Sequence, residues 1–257
     1  MHQYRITKYD PGKRDQDGAY LVDDWTCAGD IGRKFQGEEL AAADYLRMED
    51  NYVRAMLRFF DASGLPHLRV TCLENRFADE NLARIETTWP DLIDPAIVDL
   101  VLHEDQEVCR NEIGLICRMV LRNIIWCKLE FAGRFFVHFG WDFYMYIGVV
   151  PDASVAARQA EANGLFVENF TSPHGRRQGT VPLILLEVCK ADGGEHCRDI
   201  ELAGVSIGSV RNAIGFSAEH PVDGSFALDP TQVTRIGALT AETLDALRFS
   251  YNLDTTG

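Results

Sequence analysis

Residues 124–150, IIWCKLEFAGRFFVHFGWDFYMYIGVV, decide the fold. They hold three runs rich in aromatic and β-branched residues, IIWCKLEF (124–131), FFVHF (135–139) and FYMYIGVV (143–150), parted by short gaps containing Ala-Gly and Gly-Trp-Asp. Such side chains suit a pleated, half-buried surface, and short turn-like gaps join neighbouring antiparallel strands, so the segment predicts a β-meander. Alternation places Phe136 and His138 on one face of the middle strand, and Tyr144 and Tyr146 on one face of the next.

Upstream, YRITKY (4–9) alternates as a strand stopped by Asp10-Pro11-Gly12, and LRVTCL (68–73) reads as another. Between them, Tyr45, Met48, Tyr52, Met56 and Phe59 recur at helical spacing from about Glu38. This predicts an amphipathic helix over 40–62, with Glu38 and Glu39 at its positive end and Gly64 and Pro66 as its stop. Ile97, Val101, Val108, Leu115, Met119 and Val120 predict helix over 95–121, as one element or as two broken by the polar run His103 to Glu107. A helix over 152–162 ends at Asn163-Gly164, and GLFVENF (164–170) adds a strand. The fold class is α+β: a mainly antiparallel sheet with helices on one face.

The polar stretch TSPHGRRQG (171–179) marks a linker. It divides an N-terminal α+β domain, 1–172, from a small C-terminal α+β domain, 180–257. In the latter, LILLEV and CRDIEL flank a Gly-rich turn, Ser206 caps a helix over 207–214, Asp229-Pro230 opens another, and LRFSYNL is a strand. That order is ββααβ.

The 257 residues carry a formal charge of −14, shared as −10 over 1–175 and −4 over 176–257. A surface of this sign repels phosphate backbones, so nucleic-acid binding is excluded, whereas a cationic protein partner would be drawn in quickly. No apolar run approaches the length of a membrane span, so no membrane partner is expected. MHQYRITKYDP lacks an apolar signal segment, which predicts a cytoplasmic location with reduced thiols. The seven cysteines are odd in number and contain no C-x-x-C pair, so neither a disulfide framework nor a zinc ribbon is expected. Cys72 and Cys127, inside apolar alternation, read as inert core thiols.

Each catalytic pattern has a better explanation. Gly204-Val205-Ser206-Ile207-Gly208 matches a nucleophile elbow but lacks the following acid and His in order, and helix capping accounts for Ser206. His103-Glu104-Asp105-Gln106-Glu107 is half of a zinc motif and reads as a solvated charged helix face. Asp15, Asp17 and Gly18 echo a calcium loop, but Lys13 would stand at its first ligand position, so a turn is preferred. Nucleotide-binding glycine motifs do not occur, and no metal or cofactor is expected. His138 beside Tyr144 and Tyr146 offers acid–base chemistry as an alternative enzyme site. Trp25 and Trp141, with Asp23, Asp24 and Asp142, form the candidate binding set: aromatic anchors beside carboxylates.

YRITKYDPGKRDQDGAY, DDWTCAGDIG, LRMEDNYVRAMLRFF, IIWCKLEFAGRFFVHFGWDFYMYIG and GLFVENFTSPH together resemble a family of small uncharacterised bacterial cytosolic proteins, over about residues 4–174. IELAGVSIGSVRNAIGF, DGSFALDPTQVTRI and LRFSYNLD resemble a second small bacterial domain associated with immunity proteins in toxin neighbourhoods. The resemblance implies no catalytic residue. It implies a non-catalytic acidic binding protein whose partner is a basic toxin domain. The alternatives are an enzyme working at His138, Tyr144 and Tyr146, and a structural or regulatory subunit of a larger assembly.

Overall fold

The computed structural model describes residues 1–140, 142–173, 183–190, 197–240 and 243–256. Trp141, most of the 171–179 linker and the Gly-rich turn after Lys190 lie outside the described residues. Contacts divide the chain into two compact units: Met1–Val70, Asn75–Leu102 and Gln106–Pro173, and then Thr71–Glu74, His103–Asp105 and His174–Gly257.

The first unit contains β1 (His2–Thr7), β2 (Lys34–Phe35), β3 (Glu38–Glu39), α1 (Ala42–Ser63), β4 (Leu68–Glu74, whose last residues fall in the second unit), α2 (Ala78–Thr88), α3 (Pro95–Val98) and β5 (Glu107–Val108). It continues with α4 (Arg110–Leu121), β6 (Trp126–Phe131), β7 (Phe135–Phe139), β8 (Met145–Val149), α5 (Ser154–Ala162) and β9 (Phe166–Asn169). Seven strands form one sheet in the order β5-β4-β6-β7-β8-β1-β9. The meander supplies its centre, and β1 slots between β8 and β9 antiparallel to both. The fold is α+β with mainly antiparallel pairing.

The helical side of the sheet is apolar: Tyr4, Ile6, Val137, Met145 and Ile147 are buried there, as are Tyr45, Tyr52, Met56 and Phe59 of α1. Helix α1 packs on β7 and β8 and is flanked by α4 and α5. Gly64, at φ 65°, closes α1 in the left-handed conformation that glycine adopts without strain. Gly148 is required for a different reason, since a Cβ there would stand 2.1 Å from the Phe136 ring.

One helix start differs from the periodic reading, and one open alternative is decided. Glu38 and Glu39 do not open α1; they pair with Phe35 and Lys34 in a hairpin whose turn residues, Gln36 and Gly37, both have positive φ, the two-residue arrangement that matches strand twist. Residues 95–121 take the second expected arrangement, two helices parted around His103 to Glu107, but the break is wider than that run, so Val101, placed by periodicity on the apolar face, is 68% exposed.

The second unit builds a four-stranded sheet, β11-β10-β13-β12, from β10 (Leu183–Lys190), β11 (Arg198–Glu201), β12 (Gly224–Ala227) and β13 (Phe249–Thr256). With it pack α6 (Ile207–Ile214) and α7 (Pro230–Thr240), and Ile184, Leu186, Val210, Phe226, Ile236 and Leu253 form the core. Strand β12 is an addition to the sequence reading. The Ser206 hydroxyl accepts from the Ser209 N–H at 3.0 Å and caps α6. Glu104 is no solvated helix residue: its carboxylate accepts the N–H groups of Cys72 and Leu73 and pairs with buried His220 at 2.8 Å. Val222 donates its N–H to His220 Nδ1, so the other ring nitrogen carries the proton given to Glu104. Cys72 and Cys127 are buried thiols, but Cys189 and Cys197 form a disulfide, a pairing that cysteine spacing alone did not indicate.

Candidate functional site

Strand alternation turns Tyr4, Ile6 and then Lys8 toward the helical side of the sheet, which forces a charged side chain inward just beyond the end of β1. The Lys8 side chain is only 2% exposed. Its ammonium lies 2.8 Å from Asp24 Oδ2, 4.0 Å from the Trp25 ring centroid and 4.3 Å from that of Tyr9. Burial pulls the Lys8 pKa down to about 8, while its bond to Asp24 and the fields of Asp24, Asp30 and Asp142 act the other way. Burial, reinforced by Asp142 and Asp24, pushes the Tyr9 phenol far above its ordinary range.

Trp25 is fixed from three sides. Phe143 meets it edge-on at 5.1 Å, Tyr45 lies at 5.6 Å, and its carbonyl accepts the Tyr9 hydroxyl at 3.3 Å. Beside it opens a cleft of about 440 Å³, whose lining includes Asp24, Trp25, Phe35, Glu38, Glu39 and Asp44. The β2–β3 hairpin supplies Phe35 and both glutamates, and the start of α1 supplies Asp44. Burial alone would raise the pKa of Asp30, but the Thr26 and Cys27 N–H groups and Arg33 together hold it below the ordinary range. Within this lining Asp24 already pairs with Lys8, whose ammonium also sits over the Trp25 ring, and Asp44 pairs with Arg47 at 2.8 Å, so the exposed Glu38 and Glu39 offer the Coulomb attraction for an incoming ammonium or guanidinium group.

Of the binding set, Asp24 and Trp25 therefore meet in the cleft. Asp142 is exposed and contributes its field to Lys8 and Tyr9, while Asp23 is exposed and offers its carbonyl to Gln36 at 3.5 Å. Lys8 was missed, although an inward lysine in a period-two pattern is a legible anomaly.

The alternative site lies on the other face of the sheet. Register aligns His138, Tyr146, Arg5 and Glu168 in one row across β7, β8, β1 and β9. The His138 ring stacks on Tyr146 at 5.0 Å, and its Nε2 lies 2.7 Å from the Ser172 hydroxyl. Tyr144 borders this row: its ring lies 5.9 Å from the guanidinium of Arg5 in the row, 5.7 Å from that of Arg14 and 5.6 Å from the Tyr9 ring. Both arginines converge on Glu168, at 3.0 and 2.8 Å; burial alone would raise that carboxyl's pKa, and the two cations hold it low. Burial chiefly raises the Tyr146 pKa, so this phenol is a proton donor rather than a base near neutrality. Ser172 has no sequence motif that would have singled it out.

Lys8→Met is expected to stay within about 1 kcal/mol of wild-type stability near neutral pH, because it keeps the stem against Trp25 and Tyr9 and removes a desolvated charge, which offsets the loss of the cation that Asp24, itself partly exposed, is paired with. The sign of the pH effect follows from the lowered pKa. Between about 8 and 10.5 the unfolded chain holds a proton that the folded chain has lost, so the wild type gains stability as pH rises through that window. The full shift corresponds to roughly 3 kcal/mol. Urea denaturation of both proteins across the window should show their stability difference changing with pH; parallel curves would contradict the buried-amine assignment.

Compared with known proteins, the chain matches no family model, no curated protein and no solved structure. No helix among the described residues is long and apolar enough to cross a membrane.

Proposed function

We propose that the chain is an acidic binding protein whose cleft receives a lysine or arginine side chain of a basic protein partner. One observation carries this reading: four acidic and two aromatic residues line a cleft of about 440 Å³ in a chain whose net charge is −14. Trp25 is the anchor, since a rigid, half-buried aromatic with a polar rim is the usual energetic centre of an interface. The partner class in this proposal is a toxin domain, neutralised by occlusion in the cytoplasm. The bacterial and immunity-type resemblance of the sequence supports that narrower part.

The test is association of the purified chain with a purified basic toxin domain as the candidate partner. Charge steering predicts an on-rate that falls about 10-fold or more between low and high salt. Trp25→Ala is expected to weaken affinity by roughly 30-fold, chiefly through faster dissociation. An on-rate indifferent to salt, with affinity unchanged in Trp25→Ala, overturns the proposal.

A second reading, acyl-transfer or hydrolytic chemistry, is favoured by the 2.7 Å contact between Ser172 Oγ and His138 Nε2, a buried hydroxyl and imidazole within hydrogen-bond distance. On this reading a fluorophosphonate probe forms an adduct on Ser172 that is lost in His138→Gln. An unlabelled Ser172 eliminates it.

A further inference from the structure

Strand β10 alternates cleanly. Ile184, Leu186 and Val188 enter the core of the second unit, which leaves Leu185, Glu187 and Cys189 on the opposite face. Val188 pairs with Arg198, so the register brings Cys197 across from Cys189, with their Cα atoms 4.2 Å apart. Glu187, two residues back on the same face, brings a carboxylate oxygen into the group: it and the two sulfurs all lie within 4.8 Å of one another. Asn252, opposite Glu187 on β13, donates its side-chain N–H to Glu187 Oε2 at 2.9 Å and fixes the orientation of that carboxylate. On the other side Glu187 faces Asp199, while Leu185 stands between Glu201 and Asp254, so this face has an excess of negative charge.

We propose that reduction of the Cys189–Cys197 disulfide turns this face of the second unit into a site for a thiophilic divalent cation, Zn²⁺ foremost, with both cysteine sulfurs and Glu187 as ligands and water completing the shell. Several independent features of the sheet support it. Two thiolates select zinc over the hard cations that an all-carboxylate cluster would take. A tetrahedral ion with sulfurs at about 2.3 Å and a carboxylate oxygen at about 2.0 Å spaces its ligands roughly 3.5–3.8 Å apart; the sulfurs, bonded in the oxidised form, move apart to that spacing on reduction, and the Glu187 oxygen already lies within 4.8 Å of both. A carboxylate ligand held by a neighbouring amide is the outer-shell arrangement that metal centres use to orient a ligand. A divalent cation also offsets the charge of Glu187 and two thiolates beside Asp199.

The disulfide is the gate, because its sulfurs are not thiolates. A dithiol reductant donates two electrons and two protons to the Cys189–Cys197 bond and itself closes to a disulfide. Zn²⁺ then displaces the two thiol protons to solvent as it binds. Oxidation by a disulfide-class oxidant reverses the sequence and expels the ion. In a reducing compartment a closely spaced cysteine pair is more often a metal or redox site than a structural staple.

The experiment first compares oxidised and reduced forms of the same unsubstituted chain. Under denaturation the oxidised form should show five reactive thiols, the number of free cysteines, and the reduced form seven. Zn²⁺ is then titrated in competition with a chromophoric chelator, and Co²⁺ is added in parallel. The reduced form should take one Zn²⁺ at this site and give a thiolate-to-Co²⁺ charge-transfer band, and the oxidised form should do neither. Glu187→Gln, isosteric with the native residue, should weaken Zn²⁺ by about 10-fold or more while leaving the thiol count unchanged. Equal Zn²⁺ uptake by both redox forms, uptake that survives Cys189→Ser with Cys197→Ser, or no uptake by the reduced form at micromolar Zn²⁺ would overturn the proposal.

Discussion

Glu49→Ala is expected to cost about 3–5 kcal/mol, the scale for removing one partner of a buried ion pair. Glu49 is 0% exposed on α1, and its carboxylate accepts Arg122 Nε and Nη2 at 2.7 and 2.6 Å and Arg118 Nη1 at 2.6 Å. Arg122 is itself only 4% exposed and also donates to the Leu92 carbonyl, so the guanidinium has no route to water when Glu49 is lost. Arg118 retains Asp50 at 2.6 Å and lies nearer the surface, so the penalty concentrates on Arg122. In urea denaturation followed by far-ultraviolet dichroism, the first unit's transition should move to lower denaturant without a change in slope. Its midpoint temperature should fall by roughly 6–20 °C. Glu49→Leu combined with Arg122→Met supplies the discriminating arm: it removes both charges, and should recover most of the loss. A single variant within about 1 kcal/mol of wild type would show that the cluster is solvated in practice.

Glu49 also shows where sequence reading stops. The stripe Tyr45, Tyr52, Met56 and Phe59 placed α1 almost to the residue, because an aromatic-rich face at helical spacing has no other economical use. The same periodicity gives a carboxylate to solvent by default, and only the arrival of Arg118 and Arg122 on α4, a non-local event, makes Glu49 the polar centre of the helix pair. The meander was legible for a similar local reason: alternation set the face, and the observed register then aligned His138 with Tyr146. Periodicity misled where apolar residues fall at helical spacing in a loop. Ile97, Val101 and Val108 fit one helix, yet the chain turns at Asp105, which has φ 65°, and Glu104 is spent on the N–H groups of Cys72 and Leu73. The cleft was half legible. Trp25 and Asp24 stood out as an aromatic beside acids, whereas Glu38 and Glu39 were read as dipole partners of a helix and in fact line the cavity from a hairpin.

Phe143→Ala should cost about 3–5 kcal/mol, and Phe143→Gly should cost no more, reversing the usual order of these two residues. Phe143 is buried among Trp25, Tyr45 and Tyr52, each meeting its ring nearly perpendicularly or at a tilt with centroids 5.1 to 6.0 Å away. Its backbone is at φ 63°, directly after Asp142 at φ 59°, a left-handed pair that lets Gly140 N–H reach the Tyr144 carbonyl at 2.7 Å. For an L residue that conformation costs about 1–2 kcal/mol, sustained here by the aromatic packing and by the Tyr52 hydroxyl on the Phe143 carbonyl at 2.6 Å. Alanine forfeits the packing and keeps the strain; glycine forfeits the packing and sheds it. Equilibrium denaturation of the three proteins measures the order, and an alanine variant more stable than the glycine one would mean that the turn relaxes out of the left-handed region. Both variants remove the edge contact that holds the Trp25 ring upright at the cleft, so binding of a basic partner should weaken in the two alike, even under conditions where each remains folded. A loss of stability with binding intact would separate the turn from the cleft and place the anchoring of Trp25 on Tyr45 and Lys8 alone.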